Sequence, residues 1–493
     1  MNTQDTDPFA VSRQGFDVLV DWLTGDDAAG LEHGVLEEHL QRDGVEVLRQ
    51  LCQDHLDLRA AREIRIDAVT DTVGCVHGRV ETGHRRRLAT VVGEVTVTRM
   101  AYRRPGHENL HPADALLNLP VGRHSHGLAR LAAIEASRGS YEETVAAIDR
   151  GTGVKIGKRQ AEALAATAAV DFDDFYRDRP APDAAPGDVM VLSADGKGIV
   201  MRPEALRPAT AAAAGSAKLA TRLSKGEKRN RKRMAEVGAV YDLTPIPRSP
   251  DDILAPGNDR VEAPKAKGKW LTASVSDDAA SVVADIFNEA ERRDPDHTRT
   301  WVALVDGNNH QIARLRAEAT NRGIDLHVVV DFVHVLEYLW TAAWSFHDEG
   351  DPNAETWVKT KASDVLAGKA RTVAAAIRRK ATARHLDTNQ RRGADRAATY
   401  LTNKAPYLDY PTALTNGWPI ATGVIEGACR HLVADRLDIT GARWGLPGAE
   451  AILKLRALRA NGDFDHYWHY HVRRERHRNH QTRYANDTIP TAA

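Results

Sequence analysis

The chain has 493 residues, 42% of them apolar and 27% charged, the balance of a globular protein with room for about three domains. Its 67 Lys and Arg against 68 Asp and Glu leave a formal net charge of −1, an average that by itself speaks against a nucleic-acid partner. Three widely spaced cysteines, no apolar run near the ~20 residues of a membrane span, and an acidic start with no basic-then-apolar leader exclude disulfide-scaffold, membrane and secreted classes. A cytoplasmic, multidomain protein is expected.

The charge is segregated along the chain. Residues 1–60 hold 13 acidic side chains against 4 basic ones, a net of −9. Apolar residues there (Phe16, Val18, Leu19, Trp22, Leu23, then Leu36, Leu40, Val47, Leu48, Leu51) follow amphipathic-helix spacing, so 1–80 reads as an acidic helical region. Over 85–103 the period becomes two. Val95, Val97, Arg99 and Ala101 share one face of a strand, Thr96, Thr98, Met100 and Tyr102 the other, and Gly93-Glu94 suits the hairpin turn. Short helices are expected at about 127–138, 140–150 and 157–169. The last two are joined by GTGVKIG, and the third opens with Lys158, Arg159 and Gln160, where a helix-turn-helix meets base edges and phosphates. An ordinary helical hairpin has the same pattern. Residues 81–180 are read as a β-hairpin plus helix-turn-helix region that binds DNA ends.

After a Pro/Ala/Asp-rich linker at 178–188, VMVLSADGKGIVM reads as a buried strand ending at Asp195. A basic run at 218–234 follows, with 8 Lys and Arg (among them Lys228, Arg229, Arg231, Lys232 and Arg233) against Glu227, a net of +7. Such a run is either a solvated loop or the footprint of a polyanion. Strands are expected at 239–246, 269–275, 300–306 and 325–331, with helices at about 279–292 and 310–322. From 332 to 405 the pattern is helical, with Tyr338, Trp340, Trp344 and Trp357 at core spacing or, less simply, as a stacking platform for an unpaired base. A last strong helix at 421–437 carries Glu426. The tail 472–483 has five arginines and one glutamate, a net of +4. Its neighbouring histidines (His466, His469, His471, His477, His480) fit no zinc spacing, and a basic, partly aromatic helix lying on DNA is expected.

Three strands, helix, strand, helix, strand, interrupted helical piece, helix is the order of a ribonuclease-H-like α/β fold. In that fold the first and fourth strands are neighbours, so Asp195 and Asp306 converge at one rim, and Glu426 completes a cluster of hard oxygen donors suited to Mg²⁺. Each residue alone has an ordinary reading. Asp195-Gly196 and Asp306-Gly307 are turn dipeptides, and Glu426 can pair with Arg430 one helical turn on.

Seven stretches decide between these readings: GEVTVTRMAYRR (93–104) with ADALLNLP (113–120), DFDDFY (171–176), SADGKG (193–198), RTWVALVDGNNHQ (299–311), VVVDFVHVLEYLW (328–340) and GVIEGACRHLVADRLDITGARWG (423–445). In this order they resemble bacterial insertion-sequence transposases of the DDE type, in the ISKra group. The resemblance implies Asp195, Asp306 and Glu426 as catalytic residues and ligands of two Mg²⁺ (or Mn²⁺) ions. It also implies a ribonuclease-H-like core over 186–335 with a basic insertion at 202–236, an all-α insertion over 336–418, the glutamate helix within 419–450, and a basic C-terminal helix and tail over 451–493. Asp331 and His334 match the Asp-x-x-His spacing of related transposases, either behind the metal ligands or as a structural pair closing the strand. Arg430, Arg443 and Trp444 join the DNA-contact candidates, Trp444 first of all as a core anchor. Double-stranded DNA, both element ends and target, is the implied partner, bound by a homo-oligomer at the nucleoid with no membrane involved. A nuclease or resolvase without strand transfer, and a domesticated DNA-binding protein without catalysis, are the alternatives.

Overall fold

The structure, a computed structural model, describes residues 7–182, 185, 187–215, 231–255, 261–439 and 441–492. It divides into two units, one comprising Met1–Asp178 with Gly462–Ala493, the other Arg179–Asn461. The C-terminal segment therefore belongs with the N-terminal region.

In the first unit two long helices, Ala10–Thr24 and His33–Ala61, precede four strands: β1 (Val69–Thr70), β2 (Val76–His77), β3 (Arg79–Thr90) and β4 (Gly93–Arg103). The long helix is tied to β4 through Gln53, which exchanges hydrogen bonds with the backbone of Thr96 at 2.8 and 3.0 Å. Phe16, Val18, Leu40 and Leu48 of the helix pair stay exposed although their spacing reads as a buried stripe. β3 and β4 form the expected hairpin with Val95, Val97, Arg99 and Ala101 buried. Its turn lies two residues earlier than expected. Thr90 pairs with Gly93, so Val91-Val92 make the turn, and Thr90 Oγ1 locks it by accepting from Val92 N at 3.2 Å and donating to the Gly93 carbonyl at 2.8 Å.

Helices His126–Arg138, Tyr141–Thr152 and Lys158–Thr167 follow close to the expected bounds. They enclose Leu128, Ala132, Ile148, Ile156 and Ala161. A reciprocal Ser140–Glu143 capping box starts the second helix, and Gly153 ends it in the left-handed region at φ +67°. The helix Phe464–Asn479 packs in this unit rather than lying free. Tyr467 donates to the Ala168 carbonyl at 2.7 Å, while His471 and the forked guanidinium of Arg478 close on Asp171 at 2.7 and 2.8 Å. Asp171 and Asp174 of DFDDFY thus pair with Arg478 and Arg474 of the basic helix, whose arginines stay exposed.

The second unit is mixed α/β around a mixed five-stranded sheet. Its strands are β5 (Val189–Val200), β6 (Lys232–Leu243), β7 (Lys267–Ser274), β8 (Trp301–Val305) and β9 (Leu326–Val330), in the spatial order β7-β6-β5-β8-β9. β6 runs antiparallel to both β5 and β7, and β8 and β9 lie parallel to β5. All of β8 is buried, which explains its unbroken apolar run. The helix Ala279–Arg293 lies close on β6, where a Cβ at Gly238 would meet Ile286 Cγ1 at 2.7 Å. Helices Phe332–Ala343, Pro352–Leu366, Ala370–Ala383, Arg392–Lys404 and Tyr410–Thr415 form the all-α stretch, followed by the Gly423–Leu437 and Leu446–Ala460 helices. None of the helices in the described residues is long and apolar enough to cross a membrane.

Two strand bounds differ from expectation. β5 runs through Asp195 to Val200, because β6 begins at Lys232, inside the basic stretch, and pairs with it residue for residue. Of the basic insertion expected at 202–236, the last five residues are therefore strand.

Candidate active site

Strand register brings the predicted aspartates together. Met190, Val191 and Leu192 of β5 pair with Trp301, Val302 and Ala303 of β8, and Val305 of β8 pairs with Val330 of β9. Continued to the rim, the same registers set Asp195, Asp306 and Asp331 in one row across three parallel strands. Residues level across parallel strands direct their side chains to the same face. A backbone bond from Asp331 N to the Val305 carbonyl, 2.8 Å, holds the row at its outer end.

Each aspartate has its own environment. Asp195 Oδ1 accepts from Gly196 N at 2.7 Å, and Oδ2 accepts from the Cys429 thiol at 3.3 Å. Asp306 Oδ1 accepts from Asn308 N at 2.8 Å, and the hydroxyl of Tyr400 reaches the Asp306 carbonyl at 3.3 Å. Gly307 needs its positive φ of +93° to make room, since a Cβ there would stand 2.7 Å from that hydroxyl. Asp331 is fully buried and caps the helix Phe332–Ala343 through Val333 N at 2.9 Å. Its Oδ2 meets His334 Nδ1 at 3.1 Å and Thr422 Oγ1 at 2.6 Å.

Glu426 is exposed on the helix that crosses this rim, and its Oε1 lies 2.8 Å from the same Thr422 hydroxyl. Four residues before Glu426, Thr422 ties the helix to Asp331; three residues after it, Cys429 ties it to Asp195. Glu426 is therefore held between two contacts with the row of aspartates. Past Ala428 the helix widens to π geometry over Cys429–Ala434, a form concentrated at functional sites. Arg430 pairs with Asp435 at 3.7 Å instead of Glu426, so the plain i,i+4 pairing does not form.

The electrostatics follow from this crowding of carboxylates. Burial would lower the His334 imidazole, but its hydrogen bond to Asp331 and the nearby Asp331, Glu337 and Asp306 charges outweigh that and raise it. Burial and the Asp195 charge raise the Cys429 thiol, which stays protonated and can donate. Glu236 on β6 is raised by burial and by Asp195, partly offset by Arg207, Arg314 and His310. Burial lowers Lys404, and the Asp306 charge works against it.

Hydrogen counting identifies what such a site lacks. Thr422 has one hydroxyl hydrogen and stands within hydrogen-bond reach of two carboxylates, Asp331 and Glu426. Asp331 Oδ2 has His334 as a second partner, whereas the exposed Glu426 carboxylate is open to water or a cation. Donor atoms of Asp331, His334 and Glu426 lie within 4.8 Å of one another, close enough to share an ion. Of the three ligands expected from sequence only Glu426 belongs to this group, whose other donors are Asp331 and the imidazole of His334.

The DNA-contact candidates fare unevenly. Lys158, Arg159 and Gln160 are exposed at the start of their helix, but Lys158 pairs with Glu142 at 2.9 Å and Gln160 caps the helix through Gly157 N at 2.8 Å. Lys228 and Arg229 lie outside the described residues, and Arg231 is exposed. Lys232 and Arg233 are not free for phosphate. Lys232 pairs with Asp438 at 2.8 Å, and Arg233 donates to the carbonyls of Val275, Ser276 and Ala205 at 2.7, 3.0 and 3.2 Å. Arg443 is exposed, whereas Trp444 is buried beneath Arg436 and donates to the Leu437 carbonyl at 3.1 Å, so its ring cannot stack on DNA. Among the insertion aromatics, Tyr338 stacks on Tyr400 with ring centroids 3.8 Å apart, whereas Trp344, stacked with Trp340, is 47% exposed.

Thr422, Cys429, Tyr400 and Glu236 carry no sequence motif of their own. Only the i−4 and i+3 offsets of Thr422 and Cys429 from Glu426 place them on one helix face with it. No known protein-family model and no curated protein matches the chain.

Proposed function

We propose that this chain is a DDE-type DNA transposase, with Asp195, Asp306 and Glu426 as its metal-binding catalytic residues. The observation that carries the reading is the row of Asp195, Asp306 and Asp331 with Glu426 pinned over it by Thr422 and Cys429. The strand order, an antiparallel three-strand meander with two parallel strands added beside the first, supports a ribonuclease-H-like reading of the core, and the all-α stretch after β9 is compatible with the insertion expected of such transposases.

Two divalent ions, when bound, would supply the charge that stabilises an in-line phosphoryl displacement. The residues of the chain supply placement. Asp195 and Asp306 are fixed by backbone and strand register, Glu426 by its helix contacts, and Asp331 holds His334 and Thr422 rather than facing solvent. Hydrolysis at the element end would free a 3′-hydroxyl, and that hydroxyl would attack a target phosphodiester, one bond forming as another breaks with no external energy source. The three-helix cluster with exposed Arg159 is the candidate reader of the element ends, and exposed Arg371, Arg378 and Arg379 of the insertion offer phosphate contacts.

The test uses the purified chain, Mg²⁺ or Mn²⁺, and pre-cut DNA ends taken from the sequence flanking the reading frame. Joining to a target plasmid is expected. Asp195→Asn, Asp306→Asn and Glu426→Gln should each abolish joining by at least 100-fold ("about two decades" on the usual scale of electrostatic catalysis) while DNA binding survives. Cutting without joining would instead identify a nuclease, and unchanged joining in the variants would refute the site.

A further inference from the structure

The first unit holds a second cluster of ligating side chains. β1 and β2 pair as Val69 with His77 and Thr70 with Val76, and the turn between them is wound on Asp71. Asp71 Oδ1 accepts from the backbone N–H groups of Val73 and Cys75 at 3.1 and 2.8 Å, and Gly74 closes the turn at φ +81°. Oδ2 is left to face two imidazoles, His77 Nε2 at 3.0 Å and His107 Nδ1 at 3.2 Å. The Cys75 sulfur joins them, because donor atoms of Asp71, Cys75 and His107 all lie within 4.8 Å of one another. His77 is 1% exposed, while Cys75 and His107 are only partly covered, which leaves a way in for an ion.

We propose that Asp71, Cys75 and His107 hold Zn²⁺ or a divalent ion of the same class, with His77 orienting the Asp71 carboxylate from behind. One thiolate, one imidazole and one carboxylate are a three-donor set that leaves the fourth tetrahedral position of zinc to water, and sulfur with nitrogen selects against Mg²⁺. Thiolate and carboxylate together bring two negative charges, which cancel those of the ion and make its partial burial tolerable. The site ties the β1–β2 turn to the segment after β4. Through the backbone bond from Thr72 N to the Arg483 carbonyl, 3.1 Å, the same knot reaches the C-terminal segment. Its donors differ from the oxygen-rich set around Asp306, and it stands whether or not the chain is a transposase.

The experiment is a Co²⁺ titration of the full chain after removal of metal with a chelator. One equivalent should bind with a thiolate-to-cobalt charge-transfer band, and Zn²⁺ should displace it. Cys75→Ser and His107→Ala should each lose the band, whereas Cys52→Ser and the combined Asp195→Asn, Asp306→Asn, Glu426→Gln variant should keep it. Zn²⁺ should also protect Cys75 of the unmutated chain from alkylation, a readout that does not depend on any variant folding. Absence of the band in the unmutated chain, its survival in Cys75→Ser, or equal alkylation with and without Zn²⁺ would overturn the proposal.

Discussion

At Thr422 a single hydroxyl hydrogen serves two carboxylates, and this makes the residue a positioning device for Glu426 that can be tested apart from the catalytic residues. Thr422→Val keeps the shape and removes the hydrogen bond. It should lower metal-dependent cleavage roughly tenfold, equivalent to about 1.4 kcal/mol of barrier, and raise the Mg²⁺ concentration needed for half-maximal rate. Thr422→Ser should restore most of both. Equal rates and metal response in the valine variant would show that Glu426 is placed by its helix alone. Asp242 is the residue-scale test of stability. It sits buried between Arg293 at 2.8 Å and Arg299 at 2.5 Å, with Glu289 on the far side of Arg293 at 2.7 Å. Removing one partner strands buried charge, so Asp242→Asn should cost about 3–5 kcal/mol in urea unfolding. A loss under 1 kcal/mol would mean that water reaches the network.

Among the elements, the second helix of the three-helix cluster separates stability from recognition. Ser140→Ala breaks the capping box and should cost about 1 kcal/mol of stability without changing which DNA ends are bound. Arg159→Ala should do the reverse, leaving the melting curve in place while end binding weakens. If both variants move both readouts, the cluster is a structural hairpin and the ends are read elsewhere. The glutamate helix shows how local pattern and tertiary contact divide the work. Its apolar spacing suffices to predict helix over 421–437, but nothing local announces the π segment or the contact that Cys429, at its start, makes with Asp195 on a strand 234 residues earlier.

For the whole molecule, charge is the governing quantity. The net charge of −1 conceals a net of −9 over residues 1–60, and Asp17, Asp21, Glu37 and Glu38 there are exposed. Neutralising these four side chains should tighten binding to random-sequence DNA and steepen its fall with salt, measured as the slope of log K against log salt. Unchanged affinity would make the acidic region electrostatically irrelevant to DNA. Part of the positive charge is engaged internally, and this predicts an acid response. Burial would raise the Asp171 carboxyl, but hydrogen bonds from His471 and Arg478 outweigh it and hold the group below its usual value. A depressed folded pKa gives stability that is present above about pH 4, the ordinary Asp range, and is lost as pH falls through the folded value. The stability gap between the unmutated chain and Asp171→Asn should therefore close below about pH 4 in urea titrations. A gap independent of pH would assign Asp171 a packing role only.

Periodicity alone determined most of the elements: the two-residue alternation of 95–101, the three short helices before residue 170, the unbroken apolar β8, and the helix that carries Glu426. Asp195, Asp306 and Glu426 stand out as candidates in the sequence because two of them end apolar strand segments and the third lies within a strong helix pattern. The hairpin turn was misplaced because Gly93, read as the first turn residue, instead begins the return strand. Only the tertiary structure decided which side chains are available. Arg478 reads as a DNA contact until it closes on Asp171, 307 residues away, and Lys232 until it meets Asp438, 206 residues away. The same holds for the alignment of Asp331 with the other two aspartates, which rests on the registers of β5, β8 and β9. Local sequence sets backbone period and solvent preference over a few residues; ion pairs, strand register and shared hydrogens are set by partners that only the folded chain brings within 3 Å, the ordinary hydrogen-bond distance of roughly 2.7–3.2 Å.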